Sequence, residues 1–209
     1  MKTFNFLNVK TITTFLTVTT ALLTVGNASV LSQEVKSVFG KGSKIGFIWG
    51  MELKTATIQH ELGTEYKFYA GALYNHAATI SFTGALNVTH PTVNYGYIGV
   101  MAQYTYKVEK LVHPSAQITV GAGTTKDYEQ EKTSTFDNFG NITGTGFYFI
   151  EPGINGEINL GARTRFNLGI AYRLVNGLNQ NNQYVSQTHV SNRDLSALYI
   201  HAGITFGLY

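Results

Sequence analysis

The sequence contains no cysteine among its 209 residues. Disulfides, a thiol nucleophile, thiolate-bound zinc and a lipid-modified N-terminal cysteine are thereby excluded. Proline is scarce, at three residues, so long segments can run as unbroken strands. Charge is scarce as well. Asp, Glu, Lys and Arg make up 13% of the chain, about half the soluble average, which points to a surface that largely avoids water. No basic cluster or stripe occurs, so nucleic acid is not an expected partner. Beyond the N-terminal region no run reaches the length of a membrane-spanning helix, about 18 apolar residues. His60, His76, His90, His113, His189 and His201 show no ligand spacing such as HxxxH. Neither a metal nor another cofactor is expected.

The N-terminus has the form of an export signal. Lys2 and Lys10 supply a basic start, residues 11–25 are uncharged, and Gly26-Asn27-Ala28 offers a small-residue cleavage site. The alternative, a retained anchor helix, needs a longer and less Thr-rich segment. Residues 1–28 are therefore expected to be a cleaved signal, 29–42 a polar lead-in and 43–209 a single domain. The signal holds two of the 15 basic residues and none of the 12 acids, which leaves 13 against 12, or +1. The pI near 9.0 is partly an effect of the signal.

The remainder alternates with period two. In residues 146–160, Tyr148, Ile150, Ile154, Ile158 and Leu160 share one face, while Glu151, Asn155, Glu157 and Asn159 share the other. Such alternation means an extended strand with one apolar and one polar side. Comparable segments occupy 44–55, 65–74, 79–88, 94–106, 112–122, 163–175 and 195–208. Their apolar rows include Phe47, Trp49 and Met51; Tyr66 and Phe68; Ile80 and Phe82; Ile98 and Val100; Ile118 and Val120; Leu168 and Ile170; and Ile200 and Ile204. Most segments are long enough for a tilted strand to cross a hydrocarbon layer. Connections two, four and six are short, whereas one, three, five and seven (56–64, 89–93, 123–145 and 176–194) are generally longer. Outer-membrane barrels show this asymmetry, with tight periplasmic turns and long outer loops. Abundant Tyr and Phe, 13 of each, suit aromatic girdles. The expected fold is all-β: an eight-stranded antiparallel up-and-down transmembrane β-barrel. A soluble lipocalin-like barrel, apolar inside and polar outside, is the rival. Alternation alone does not say which face is inward.

Several short stretches carry a resemblance: residues 49–57, Tyr74-Asn75-His76, residues 97–106, Val112-His113, Gly121-Ala122-Gly123, Phe149-Ile150-Glu151-Pro152 and Ala171-Tyr172-Arg173. Together they resemble small bacterial outer-membrane β-barrel proteins of uncharacterised function. The resemblance spans nearly all of the chain beyond the signal. It implies fold and address, a cell envelope of the Gram-negative type, and carries no activity. One departure is visible. Such barrels usually end on an outward aromatic, yet by the phase read here Phe206 and Leu208 face out and the terminal Tyr209 faces in.

The inward row holds the charged residues: Glu52, Lys54, Glu151, Glu157, Arg165 and Arg173, with His113 and His201 near them; by the phase of its strand Arg163 also points in. A barrel of eight strands has a bore that side chains fill, and charges there must pair. The tight turn at Gly161-Ala162 is expected to bring Glu157 near Arg165 and Glu151 near Arg173. Three readings follow. A structural ionic plug is favoured, a narrow pore for small solutes is the second, and a lipid-modifying enzyme built from His201, His113, Ser115, Ser81 and Glu151 is the third. The enzyme requires a nucleophile and a base in hydrogen-bond reach, which no spacing here establishes, so no catalytic residue is assigned. The long connections are the expected contact surface, with Lys126, Asp127, Tyr128 and Glu129 in one and Asn179, Gln180 and Tyr184 in the other. Expected partners are outer-membrane lipids, lipopolysaccharide, and an envelope or cell-surface protein met through these loops.

Overall fold

Strands whose two faces differ this sharply must hide one face from the other's solvent, and closing a sheet on itself does so without leaving an edge. The computed structural model of the chain describes residues 45–89, 93–127, 145–178 and 190–208. The signal, the lead-in, residues 43–44 and Tyr209 lie outside the described residues, as do Tyr128, Glu129, Asn179, Gln180 and Tyr184.

Among the described residues the strands are β1 (Ile45–Ile58), β2 (Glu61–Tyr74), β3 (Ala78–Asn87), β4 (Val93–Thr105), β5 (Val112–Asp127), β6 (Thr145–Gly161), β7 (Thr164–Tyr172), β8 (Leu174–Asn176) and β9 (Leu198–Leu208). One short helix, α1 (Asn192–Leu195), precedes β9. Each of β1 to β6 pairs antiparallel with the next, β8 pairs with β6, and β9 pairs with both β7 and β1, so the sheet closes. The strands β7 and β8 form one stave, because both pair with β6 in a common register. The break between them lies beside Pro152, which has no N–H to give the ladder. Arg173, the residue at the break, donates its N–H to the Ala197 carbonyl at 2.9 Å instead. The result is an eight-stave, closed, antiparallel barrel with neighbouring staves joined in chain order.

The register determines the bore. Following hydrogen-bonded partners around the wall leads from Ile45 to Tyr74, Ala78, Tyr104, Ala116, Ile154, Ile170, Ile200 and then Thr55. The path returns to β1 ten residues beyond its start, 55 against 45. A stagger of ten over eight staves tilts the strands about 40° from the axis, given the usual rise and strand spacing. At this size the interior is just wide enough for side chains to meet across it.

The apolar rows face outward. Phe82 is 78% exposed, Ile98 74% and Ile80 66%, while their neighbours Thr79, Ser81 and Tyr97 are buried. Trp49 and Phe206 stack on the outer wall with ring centroids 4.5 Å apart. The lipocalin-like alternative therefore has its faces reversed relative to this barrel. Two expectations need correction. The first connection is not long. The strands continue past the expected ends and meet in a two-residue turn at Gln59 and His60, both at positive φ (48° and 68°), the backbone that right-twisted hairpins favour. Aromatics also occupy the inner side. Tyr69, Tyr95, Tyr97, Tyr199, Phe147 and Phe149 are buried inside, where large rings fill the space between charges. Arg163, expected to point inward, lies exposed in the turn after β6.

One mouth of the barrel is closed by an apolar cluster of Ile58, Val93, Tyr95, Phe147, Val175, Leu178, Val190 and Leu195, with Ala85, Tyr97 and Phe149 below. Leu178, Val190 and Leu195 come from the described parts of the connection between β8 and β9, residues 177–178 and 190–197. The fold of that connection is locally encoded. Ser191 caps α1 and Asp194 returns a bond to the Ser191 N–H at 2.7 Å, a capping box. Asn192 accepts from the Leu178 N–H at 2.9 Å and Ser196 from the Val175 N–H at 2.9 Å.

Candidate functional site

Beneath the apolar cluster the inward rows of β1, β2, β6 and the β7–β8 stave place Lys54, Glu65, Glu151 and Arg173 together. Each is at most 1% exposed. The turn at Gln59 and His60 sets Lys54 directly opposite Glu65, with Lys54 Nζ 3.1 Å from Glu65 Oε1. The same ammonium reaches across the bore to Glu151 Oε1 at 2.5 Å. Arg173 binds Glu65 with two nitrogens, at 2.7 and 3.0 Å, and its Nε donates to Glu151 Oε2 at 2.7 Å. Two cations meet two carboxylates, so the formal charge cancels. Tyr95 and Tyr97 donate their hydroxyls to Glu65 at 2.9 and 3.1 Å. The Arg173 guanidinium also lies 4.3 Å from the Tyr199 ring and 4.5 Å from the Tyr97 ring, a favourable cation–π placement. Every polar atom is thus paired inside an aromatic collar, the condition under which buried charge is tolerated.

The middle of the bore is more sparsely linked. Lys67 pairs with Glu52 at 3.2 Å and approaches the Met101 sulfur at 3.2 Å. Tyr69 bonds Thr205 at 2.5 Å. His201 Nε2 meets Asn155 Oδ1 at 2.7 Å, a bond made possible by Gly169, where an added Cβ would lie 2.2 Å from that oxygen. Among the described residues Gln117 and Thr119 extend into this zone without a side-chain partner.

A second cluster closes the opposite end. Glu157 accepts from Ser115 Oγ at 2.6 Å and from Gln103, faces His113 Nε2 at 3.1 Å and lies 3.8 Å from Arg165 Nη1. Arg165 also donates to the His76 carbonyl at 3.5 Å. His113 Nδ1 meets the Lys110 carbonyl at 3.0 Å. The carboxylate therefore sits between Ser115 and the imidazole, and both ring nitrogens are occupied. A serine–histidine dyad needs the imidazole on the hydroxyl oxygen, and here the Glu157 carboxylate stands between the two.

The sequence-predicted lumen residues Glu52, Lys54, Glu151, Glu157, Arg165, Arg173 and His201 all line the bore. They divide into three groups rather than one. The expected neighbours Glu151 and Arg173 touch, and Glu157 and Arg165 approach more loosely. Sequence reasoning passed over Glu65 and Lys67, which complete two of the groups. Their signal was present, since both alternate with the outward Tyr66 and Phe68. What was missing was the two-residue turn that sets them opposite Lys54 and Glu52. Of the expected loop residues, Lys126 and Asp127 end β5. Among the described residues no group of three or more His, Asp or Glu side chains is placed to hold a metal ion.

The chain is similar in structure to the N-terminal β-barrel domain of Pseudomonas aeruginosa OprF. That match has 9% identity over 80% of this chain and 99% of that one, with a TM-score of 0.52. It is also similar to Neisserial surface protein A, at 13% identity over 78% of this chain and 97% of that one, again with a TM-score of 0.52. No protein-family model and no curated protein sequence matches the chain. The closed antiparallel eight-strand barrel of small bacterial outer-membrane proteins is thus the fold of this chain.

Proposed function

We propose that the chain is a bacterial outer-membrane β-barrel whose bore is shut, and that it acts as a structural or adhesive element through its outer end. The observation that carries this reading is the Lys54–Glu65–Glu151–Arg173 lattice, fully buried beneath an apolar lid. A conducting barrel requires a continuous hydrated path, and charges that bond one another across the bore do not line one. Planar-bilayer recording tests this reading. The purified protein is expected to give no discrete conductance steps, and ohmic steps would favour the narrow-pore alternative.

The outward apolar rows support an address in the outer membrane. Heat-modifiable migration on unboiled gels and recovery in the detergent-solubilised outer-membrane fraction test it. Cleavage after Ala28 predicts Ser29 as the first residue of the purified protein. The polar connection after β5 and the one before β9 are the contact surfaces in this reading. Deleting residues 126–141 is expected to reduce binding to host or neighbouring cells while leaving the barrel folded. The position of Glu157 between Ser115 and His113 argues against acyl transfer, so acyl release from lipid A or phospholipid is expected to remain at background.

A further inference from the structure

The outer wall is not uniformly convex. Two successive outward rows cross the staves side by side. One runs Tyr104, Ala116, Ile154, Ile170 and Ile200, each opposite the next in the register. The other runs Tyr106, Pro114, Gly156 and Leu168. Their central members are small: Pro114, Ala116 and Gly156. The flanking members are large. A hollow of about 700 Å³ results, lined almost wholly by apolar surface. It begins at Tyr106, the last outward residue before the connection to β5, and climbs toward mid-wall at Ile200. At its lower end the Lys107 ammonium stands 4.9 Å from the centroid of the Tyr106 ring. Lys107 is exposed and held at positive φ, 53°, so the turn presents its charge at the rim.

An apolar trough with a cation at one end has the charge pattern of a lipid: hydrocarbon along the wall and an anionic group at the water boundary. The connection carrying Lys107 lies at the same end of the barrel as the Asn75-His76 turn and the start of β1, the end that faces the periplasm under the reading proposed above. We propose that this hollow seats one acyl chain of a glycerophospholipid of the periplasm-facing leaflet, with the lipid phosphate bound by Lys107. The inference rests on the outer-membrane reading, and it goes beyond it by naming a discrete lipid site on a wall otherwise wetted by exchanging lipid.

Gly156 allows the hollow to be filled without disturbing the fold. A Cβ built there meets nothing nearer than the Leu168 carbonyl oxygen at 4.0 Å, so Gly156→Leu occupies the trough while the ladder stays intact. Lys107→Asn removes the charge with a residue that accepts positive φ. The full chain, exchanged in detergent against phosphatidylglycerol, is read by native mass spectrometry for lipid retained per barrel. The expected result is one retained lipid, with retention lowered about tenfold by either variant and lost when diacylglycerol replaces the phospholipid. Equal retention by wild type and both variants would reduce the hollow to ordinary annular contact. Preference for lipid A over phosphatidylglycerol, or a stable dimer that Gly156→Leu disrupts, would overturn the proposal in favour of another occupant. Quenching of Trp49 by brominated acyl chains separates these outcomes from failure of the outer-membrane reading. If Trp49 is quenched but lipid is not retained, only the site is wrong; if Trp49 is not quenched, the orientation of the wall is wrong.

Discussion

Arg173 and Glu65 lie 108 residues apart in the chain and meet as a two-point pair, Nη2 to Oε1 at 2.7 Å and Nη1 to Oε2 at 3.0 Å. Nε also donates to Glu151, and Nη1 donates to Tyr199 as well as to Glu65, so one side chain ties its own stave to three others. A lysine cannot do this, because its single ammonium lacks the planar fork.

Arg173→Met is expected to destabilise the barrel by about 3–5 kcal/mol, since it leaves Glu65 and Glu151 with excess buried negative charge. Arg173→Lys should fall between it and wild type. Replacing Arg173 by Met and Glu65 by Gln together should cost less than the two single changes added. Urea titration of the refolded protein in micelles, followed by the heat-modifiable band, measures all four. Strict additivity would show that the pair is not coupled.

The apolar lid and the ionic lattice are separate barriers. Leu195→Ala removes a fully buried side chain from the lid and should cost about 2–4 kcal/mol locally. Amide exchange of α1 and of Val175 is expected to accelerate while exchange in β1 and β2 stays slow. No conductance should appear, because the lattice beneath is intact.

Asp194 lies outside the membrane-spanning wall. Partial burial pushes its carboxyl pKa upward, but bonds from the Ser191 backbone N–H and hydroxyl outweigh this and leave it below the usual Asp range. A carboxyl depressed on folding stabilises the fold above its unfolded pKa, and that contribution is lost as pH falls through the folded pKa. The protection of the Ser191 and Asp194 amides, taken relative to their intrinsic exchange rate at each pH, should therefore fall in acid below the ordinary Asp range. Asp194→Asn should remove this pH dependence.

Gly169 and Gly156 make a paired test. A Cβ at Gly169 would lie 2.4 Å from the Ile154 carbonyl and 2.7 Å from His201 Nε2, so Gly169→Ala should displace the His201–Asn155 bond and cost about 1–3 kcal/mol. Gly156→Ala, facing open space, should leave the urea midpoint unchanged. The same micelle titration reads both.

Much of the architecture is legible in the order of residues. The alternation through Phe47, Trp49 and Met51, or through Ile80 and Phe82, is local, because a strand's face depends only on parity along the chain. The charged inward row was legible for the same reason. The misjudged turn at Gln59-His60 has a plain cause. Gln-His is not a dipeptide that signals a hairpin, since neither residue is glycine or asparagine, yet both adopt positive φ when two registered strands pull the ends together. That large rings fill the interior was not legible in the same way, because a period-two pattern records which residues share a face, not how large a space that face encloses.

Order along the chain thus determined that there are strands, where they run, and which residues travel together on each side. Tertiary closure decided the rest: which side became the interior, the ten-residue stagger, and the meeting of Lys54 with Glu151 and Arg173 with Glu65. The reason is geometric. Parity is settled residue by residue, but the partner across a bore depends on all the hydrogen-bonded ladders of the wall at once. A slip of any one would turn the same side chains toward different neighbours.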